Sequence, residues 1–290
     1  MNKVCVLTTI FPMRYDYVER FFESLSHQTY SSFDTVIVND GFGDISNIKS
    51  KNNNLNILEV EADSTPSKNR QVAIEFAIKS GYEIAILCDS DDYMDIHRVD
   101  VCVEQLKSTD IVVNELELFS EIGTIHDEYL SKRFLDGDII EISDIKDKNI
   151  IGLSNSAFKL SIIDQFDFPK ELIAIDWFLF SILILSGAKA KFTNKTKTYY
   201  RQYDQNTVGL GYMNEKKLIR CLDIKLLHYK LLKEYDFEYS KLLDEVIIIR
   251  DALVNEKFKS DYISQCNEKI KFPLWWELIP IKEVFNETNK

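Results

Sequence analysis

The chain has no CxxC pair and no short disulfide-type spacing among its five cysteines, Cys5, Cys88, Cys102, Cys221 and Cys266. Scattered single cysteines, two of them inside apolar strand-like runs, exclude a disulfide framework and read as buried thiols of a reducing compartment. The four histidines, His27, His97, His126 and His228, are far apart and form no HExxH or other paired metal spacing. There is no GxxxxGKS/T loop, no GxGxxG and no GxSxG, so kinase-like, dinucleotide-dependent and serine-hydrolase readings lose their main support. Long apolar runs are missing too. The longest, "WFLFSILILSGA" from Trp177 to Ala188, is too short to span a bilayer and reads as a buried helix. The amino terminus, "MNKVCVLTTIF", enters a strand pattern at once and shows no signal-type apolar core, which makes a cytoplasmic location the expectation. Positive charge is the minority: 35 Lys and Arg against 47 Asp and Glu leave a net charge of -12, which argues against a phosphate-backbone partner.

What is present is enough for a folded globular protein. The 290 residues, 45% of them hydrophobic, can bury one sizeable core and a smaller appended unit. "KVCVLTTI" reads as a buried strand, and "DYVERFFESLSHQT" as an amphipathic helix with Val18, Phe21, Phe22 and Leu25 on one face. "FDTVIVNDG" is a second strand. "TPSKNRQVAIEFAIKSGY" is bounded like a helix, with Ser or Thr before it and Gly81 behind it, and "EIAILCD" is the next strand. This alternation predicts an α/β domain with a largely parallel sheet. The stretch "STDIVVNELELFSEIG" alternates like exposed-edge strands, and "YLSKRFLDGDIIEISDIKDKN" reads as a charged lid or acceptor-side insertion. From Tyr212 onward the pattern is helical. "KFPLWWELIPI" places Trp275 and Trp276 beside aliphatic residues, which suits a core cap as readily as a membrane edge or a subunit contact.

The chemistry is concentrated in "YEIAILCDSDDYMD", where an apolar strand ends in three carboxylates and a serine. Burying Asp89, Asp91 and Asp92 together is costly unless something offsets the charge. Two aspartates one residue apart at a strand end suit a hard divalent cation that shares its remaining positions with substrate phosphates, while the same cluster is also common in solvated turns. In sheets of this kind ligands bind beyond the carboxyl ends of the strands. Those ends are Thr8 and Thr9, then Asn39 and Asp40, then Asp89 to Asp92. Asp40 can accept from a base or ribose, and Arg70, opening a helix, can pair with a phosphate or with the strand-end carboxylates. A helix-capping Asp40 and a surface Arg70 are the plainer alternatives.

In order and spacing these motifs resemble the family 2 glycosyltransferases, which have the A-type glycosyltransferase fold (GT-A). The matching stretches are "ESLSHQTY" (Glu23 to Tyr30), "VIVNDGFGD" (Val36 to Asp44), "RQVAIEFA" (Arg70 to Ala77) and "LCDSDDYMD" (Leu87 to Asp95). The likeness is dense over the first hundred residues and thinner beyond. There "IAIDWFLFSILILSGAKAKF" supplies Asp176, Trp177 and Gly187, and "TYYRQYDQNTVG" supplies Tyr200, Arg201 and Asn206. The resemblance implies a Rossmann-like mixed sheet flanked by helices, followed by a helical carboxyl-terminal appendage. By position it implies Asp176 as catalytic base, Asp91 and Asp89 as holders of Mn²⁺ or Mg²⁺, and donor contacts from Thr8, Thr9, Phe11, Asp40, Arg70, Asp89, Ser90 and Arg201. Trp177 and Asn155 fall on the acceptor side. The chain departs from the family pattern at Asn39, which replaces the first residue of an Asp-Asp pair, and at Ile175, which replaces an acidic neighbour of the base.

The implied domains are a catalytic region over 1–210, divided into a nucleotide-binding half (1–100) and an acceptor-side half (101–210), and a helical region over 211–290. The implied activity is inverting transfer from a nucleoside-diphosphate sugar, with UDP as the default nucleotide, to a hydroxyl of a glycan or lipid-linked acceptor in bacterial surface polysaccharide synthesis. A peripheral contact with the inner face of the membrane, or a homodimer contact, through the carboxyl-terminal region goes with that reading. Two others stay open: a non-catalytic nucleotide-sugar-binding scaffold, and a sugar-phosphate nucleotidyltransferase. The latter would want a glycine-rich first loop with a basic residue, and "LTTIFPMRYDY" has no glycine.

Overall fold

The computed structural model describes residues 3–62, 64–164, 166–203 and 212–282. The chain divides into two compact units. The first comprises Met1–Ile140, Ile151–Glu171 and Gly187–Tyr203, and the second Glu141–Ile150, Leu172–Ser186 and Asp204–Lys290.

The first unit is built on one mixed sheet. In chain order its elements are β1 (Val4–Ile10), α1 (Tyr15–Ser26), β2 (Phe33–Asn39), α2 (Ser46–Lys51), β3 (Asn56–Val60), α3 (Pro66–Lys79), β4 (Ile84–Leu87), β5 (Tyr93–Met94), α4 (Arg98–Gln105), β6 (Ile111–Ser120), β7 (Gly123–His126), β8 (Ile139–Ile140), β9 (Ser156–Lys159) and β10 (Ala190–Arg201). The strand order is β3-β2-β1-β4-β9-β6-β10-β5, with β7 added to β6 and β8 to β10. β3, β2, β1 and β4 run parallel, whereas β9 is antiparallel to both its neighbours. The parallel half follows from the βαβ alternation, because each helical crossover returns the chain in the same direction.

The predicted apolar face of α1 is buried: Val18, Phe21 and Phe22 are fully enclosed, with Leu25 beside them, against Val4, Val6 and Ile10 of β1 and Ile37 of β2. Enclosing each such side chain stabilises the fold by roughly 1.5–3 kcal/mol. α3 starts with Pro66 in its first turn, where the missing N–H costs nothing, and is followed by Gly81 at φ +74°.

The structure corrects one sequence expectation. β6 is an interior strand paired with β9 and β10, not an exposed edge. Its polar residues Asn114 and Glu115 are buried, and the Glu115 carboxylate accepts the backbone N–H groups of Leu116, Leu130 and Ser131 at 2.7–2.8 Å. The stretch read as an insertion supplies β8 and a short helix, α5 (Ile142–Ile145).

The second unit is helical. It contains α5, α6 (Ile175–Leu185), α7 (Glu215–Leu232), α8 (Glu238–Ala252) and α9 (Glu256–Lys269). Asn214 and Asn255 cap α7 and α9, accepting from Lys217 N at 2.9 Å and Phe258 N at 3.0 Å. Trp275 and Trp276 are buried here, and the Trp275 carbonyl accepts Asn149 N–H at 2.8 Å, so the pair serves as core. Among the described residues no helix is long and apolar enough to cross a membrane.

Candidate active site

The three strand ends singled out in the sequence lie side by side, because β1 is paired with both β2 and β4. Past the last paired residue of β4, Cys88 N–H donates to Leu7 carbonyl at 3.3 Å, and the chain then turns tightly: Asp92 N–H donates to the Asp89 carbonyl at 3.1 Å. The turn is pinned on several sides. The Ser90 hydroxyl donates to the Thr9 carbonyl at 2.9 Å, the Ser154 hydroxyl accepts Asp89 N–H at 3.1 Å, and Arg201 Nε donates to the Asp91 carbonyl at 2.8 Å. Beneath it the buried Arg98 of α4 donates to the Leu87 carbonyl at 2.7 Å and to Asn114 Oδ1 at 2.8 Å.

The three carboxylates have different surroundings. Asp89 forms an ion pair with Arg70 of α3, as the sequence allowed. Asp91 is half-buried and accepts the Tyr203 hydroxyl on Oδ2 at 2.8 Å. Asp92 is enclosed, accepting Arg201 N–H at 2.7 Å on one oxygen and the Ser154 hydroxyl on the other. Burial pushes both Asp91 and Asp92 up from the usual carboxylate range, and the charges of the neighbouring aspartates push in the same direction. Burial also lowers Arg201, whose guanidinium lies 3.8 Å from the Tyr17 ring centroid and 4.6 Å from that of Phe119.

At the end of β2, Asp40 N–H donates to the Ile10 carbonyl at 2.7 Å, and its side chain is half-buried. Asn39 organises the following loop: its amide donates to the Gly43 carbonyl at 2.8 Å and to Glu59 Oε1 at 3.2 Å, while its oxygen accepts Phe42 N–H at 3.1 Å. A carboxylate at 39 would face Glu59 as a like charge. Gly41, at φ +80°, takes the left-handed conformation the turn requires. A cleft of about 680 Å³ opens beside it, lined by Asn39, Glu59, Val60, Glu61 and Ala62, a volume within the range of small-molecule sites.

The remaining candidates fall into two groups. In the first unit Thr8, Thr9 and Ser90 are buried, Phe11 is exposed, and Asn155 is enclosed with its side-chain oxygen accepting Gly152 N–H at 2.7 Å. In the second unit Asp176 stands half-exposed in the first turn of α6, where Oδ1 accepts Trp177 N–H at 2.8 Å. Trp177 is fully buried, stacked on His228 at 3.6 Å between centroids, with its indole N–H on the Ile145 carbonyl at 2.5 Å. Asn206 lies outside the described residues. Sequence reasoning passed over Tyr17, Ser154 and Tyr203, although Tyr203 sits two positions beyond Arg201 in a quoted motif.

Among the described residues no three His, Cys, Asp or Glu side chains are grouped to hold a metal ion. A magnesium- or manganese-type ion that keeps waters and shares phosphate oxygens needs only one or two carboxylates from the protein. Asp91 and Asp89 fit that requirement: both are hard oxygen donors on one turn, and a cation would offset both the burial and the Asp89 charge that raise Asp91.

No family model matches the chain, and no curated protein matches it in sequence. Solved structures do match. The S. aureus TarS fragment 1–349 in complex with UDP-GlcNAc aligns with a TM-score of 0.63 at 17% identity, covering 84% of this chain and 71% of that one. The mannosyltransferase PcManGT from Pyrobaculum calidifontis, in complex with GDP-Man and Mn²⁺, aligns with a TM-score of 0.56 at 14% identity, over 80% of this chain and 64% of that one. GalNAc-T7 with UDP, GalNAc and Mn²⁺ aligns with a TM-score of 0.62 at 11% identity, over 94% of this chain and 58% of that one. The fold is the A-type glycosyltransferase fold. Within a GT-A sheet the DSDD turn stands at the carboxyl end of the strand next to β1, beyond which ligands bind in open α/β sheets.

Proposed function

We propose that this GT-A chain is a metal-dependent, inverting glycosyltransferase that moves a sugar from a nucleoside diphosphate, UDP before others, to a hydroxyl of a glycan or lipid-linked acceptor. The pathway that fits is bacterial surface polysaccharide synthesis. The observation that carries this reading is the pinned turn at the end of β4, with Asp89 and Asp91 concentrated on it and Arg70 beside them. Structures with this fold hold UDP-GlcNAc, UDP or GDP-Man, two of them with Mn²⁺, and that agrees with the reading.

Asp91 and Asp89 would hold Mn²⁺ or Mg²⁺. When bound, the ion offsets the charge that gathers on the leaving diphosphate. The protein's own groups do the rest. Asp40 and the cleft beside Asn39 seat the nucleoside, with Thr8, Thr9, Phe11 and Ser90 shaping the first loop and the turn around it. Arg70 and Arg201 add positive charge near the phosphates. Asp176 accepts the proton of the acceptor hydroxyl as its oxygen bonds to the anomeric carbon, and the bond from that carbon to the diphosphate oxygen breaks with its electron pair leaving on the nucleotide. A single displacement of this kind inverts the anomeric centre.

The deciding experiment is calorimetric binding of UDP, GDP, CDP and dTDP with and without Mn²⁺, for the wild-type protein and for Asp91→Ala. Metal-dependent binding of one nucleotide that disappears in the variant is the expected result. Absence of binding by every nucleotide under both conditions would sink the proposal, while metal-dependent binding without turnover of any nucleotide sugar would leave the scaffold reading in its place.

A further inference from the structure

The Asp91 carboxylate is oriented from outside its own turn. Tyr203, just past the end of β10, donates its hydroxyl to Oδ2 at 2.8 Å and so restrains the direction of the carboxylate. Tyr203 in turn rests on Tyr17 of α1, ring edge to ring face, with centroids 5.7 Å apart at 63°. The other face of the arrangement is Arg201, which stacks on the same Tyr17 ring while its Nε holds the Asp91 carbonyl and its backbone N–H holds Asp92. One buried aromatic ring, Tyr17, therefore supports both groups that fix Asp91, one through its side chain and one through its main chain.

We infer that Tyr203 and Tyr17 are positioning residues for the divalent cation: Tyr203 orients the Asp91 carboxylate for it, and Tyr17 keeps Tyr203 and Arg201 in place. This rests on the reading that Asp91 holds a metal ion. Hydrogen-bond partners behind a ligating group fix its direction and its donor strength, and removing one typically lowers metal affinity by roughly ten- to a hundredfold. Neither tyrosine needs to touch the ion or the sugar.

The test is Mn²⁺ titration of the full chain, followed by the electron paramagnetic resonance signal of free Mn²⁺, alone and with UDP. The proteins are wild type, Tyr203→Phe, Tyr17→Leu and Tyr17→Phe. Loss of the single hydroxyl in Tyr203→Phe is expected to weaken Mn²⁺ binding by about tenfold. Tyr17→Leu should weaken it at least as much, while Tyr17→Phe, which keeps the ring, should restore binding to near the wild-type level. UDP affinity measured in EDTA should be the same in wild type, Tyr203→Phe and Tyr17→Phe, which keep Arg201 on its ring, an outcome that general loosening of the fold would not give. Unchanged or tighter Mn²⁺ binding by Tyr203→Phe overturns the inference, the latter because Tyr203 would then be competing with the cation. If Tyr17→Leu fails to fold, Tyr203→Phe decides alone. A wild-type protein that binds no Mn²⁺ with or without UDP overturns the transferase proposal as well, so the two failures are distinguishable.

Discussion

Arg70, on the second turn of α3, is ion-paired with Asp89 at the carboxyl end of β4, and the two side chains are only 12% and 26% exposed. The pair ties the helix to the carboxylate turn. Taking Arg70 away leaves the partly buried Asp89 without this ion pair. Arg70→Ala is expected to cost about 2 kcal/mol, less than the ~3–5 kcal/mol of a fully buried pair because Asp89 keeps part of its surface in water. Urea unfolding followed by far-ultraviolet circular dichroism measures this, and a midpoint unchanged from wild type would refute it.

The adjacent aspartates should separate stability from binding. Asp92 is enclosed and accepts both Arg201 N–H and the Ser154 hydroxyl, so Asp92→Ala removes the acceptor of two buried donors. A loss of roughly 2–4 kcal/mol is expected, one unsatisfied group costing about 1–3 kcal/mol. Asp91→Ala removes a half-buried carboxylate already pushed toward its neutral form, so its stability should stay within about 1 kcal/mol of wild type while metal-dependent nucleotide binding is lost. Thermal unfolding and calorimetry on the two variants check the contrast. Equal effects on both properties would mean the three aspartates act as one structural cluster.

Asp176 sits in the first turn of α6, at its amino-terminal end. As the base of the proposed reaction it acts only when the acceptor hydroxyl is being deprotonated. Asp176→Asn, which keeps the shape and the acceptor for Trp177 N–H, is expected to lower kcat by about a hundredfold or more while the affinity for the donor nucleotide stays near wild type. Steady-state kinetics with a turned-over donor and nucleotide titration give the two numbers. A kcat within a few-fold of wild type would assign the base elsewhere.

Much of this was legible in the residues themselves. Strand and helix alternation over the first hundred positions follows directly from periodicity, and the convergence of Thr9, Asp40 and Asp89 on one sheet edge follows from parallel pairing. β6 was not legible, because "NELE" looks like a solvent face until the tertiary structure supplies three backbone donors for Glu115. The same applies to Trp177, placed on the acceptor side by sequence order but enclosed in the structure against His228. Tyr17 and Tyr203 lie 186 positions apart in the chain, as their numbers show, and meet only because α1 and the end of β10 come to one place. No local pattern carries such a contact.

His228 offers a test of the second unit. It is fully buried on α7, stacked on Trp177 at 14° between planes, with Tyr229 and Tyr239 edge-on and neither ring nitrogen hydrogen-bonded. The buried Lys225 one turn earlier donates to the Asp147 carbonyl and to the Tyr229 hydroxyl. Burial, with the charge of Lys225 adding to it, holds His228 well below the ordinary value of 6.5, so it stays neutral in the folded protein. The unfolded chain has no such restraint and takes up a proton near pH 6.5. The unfolded state therefore binds more protons than the folded one as the pH falls below that value, and the stability contributed by the neutral ring, fully present above about 6.5, is lost on acidification. Between pH 6.5 and 5.5 the loss from this one group approaches roughly 1 kcal/mol. All three tryptophans, Trp177, Trp275 and Trp276, belong to the second unit, so tryptophan fluorescence during urea unfolding reports on it selectively. His228→Phe keeps the stacking surface and removes the titration. Its unfolding midpoint should vary less with pH over that interval than the wild-type midpoint, and an identical slope in both proteins would place the acid sensitivity in other groups.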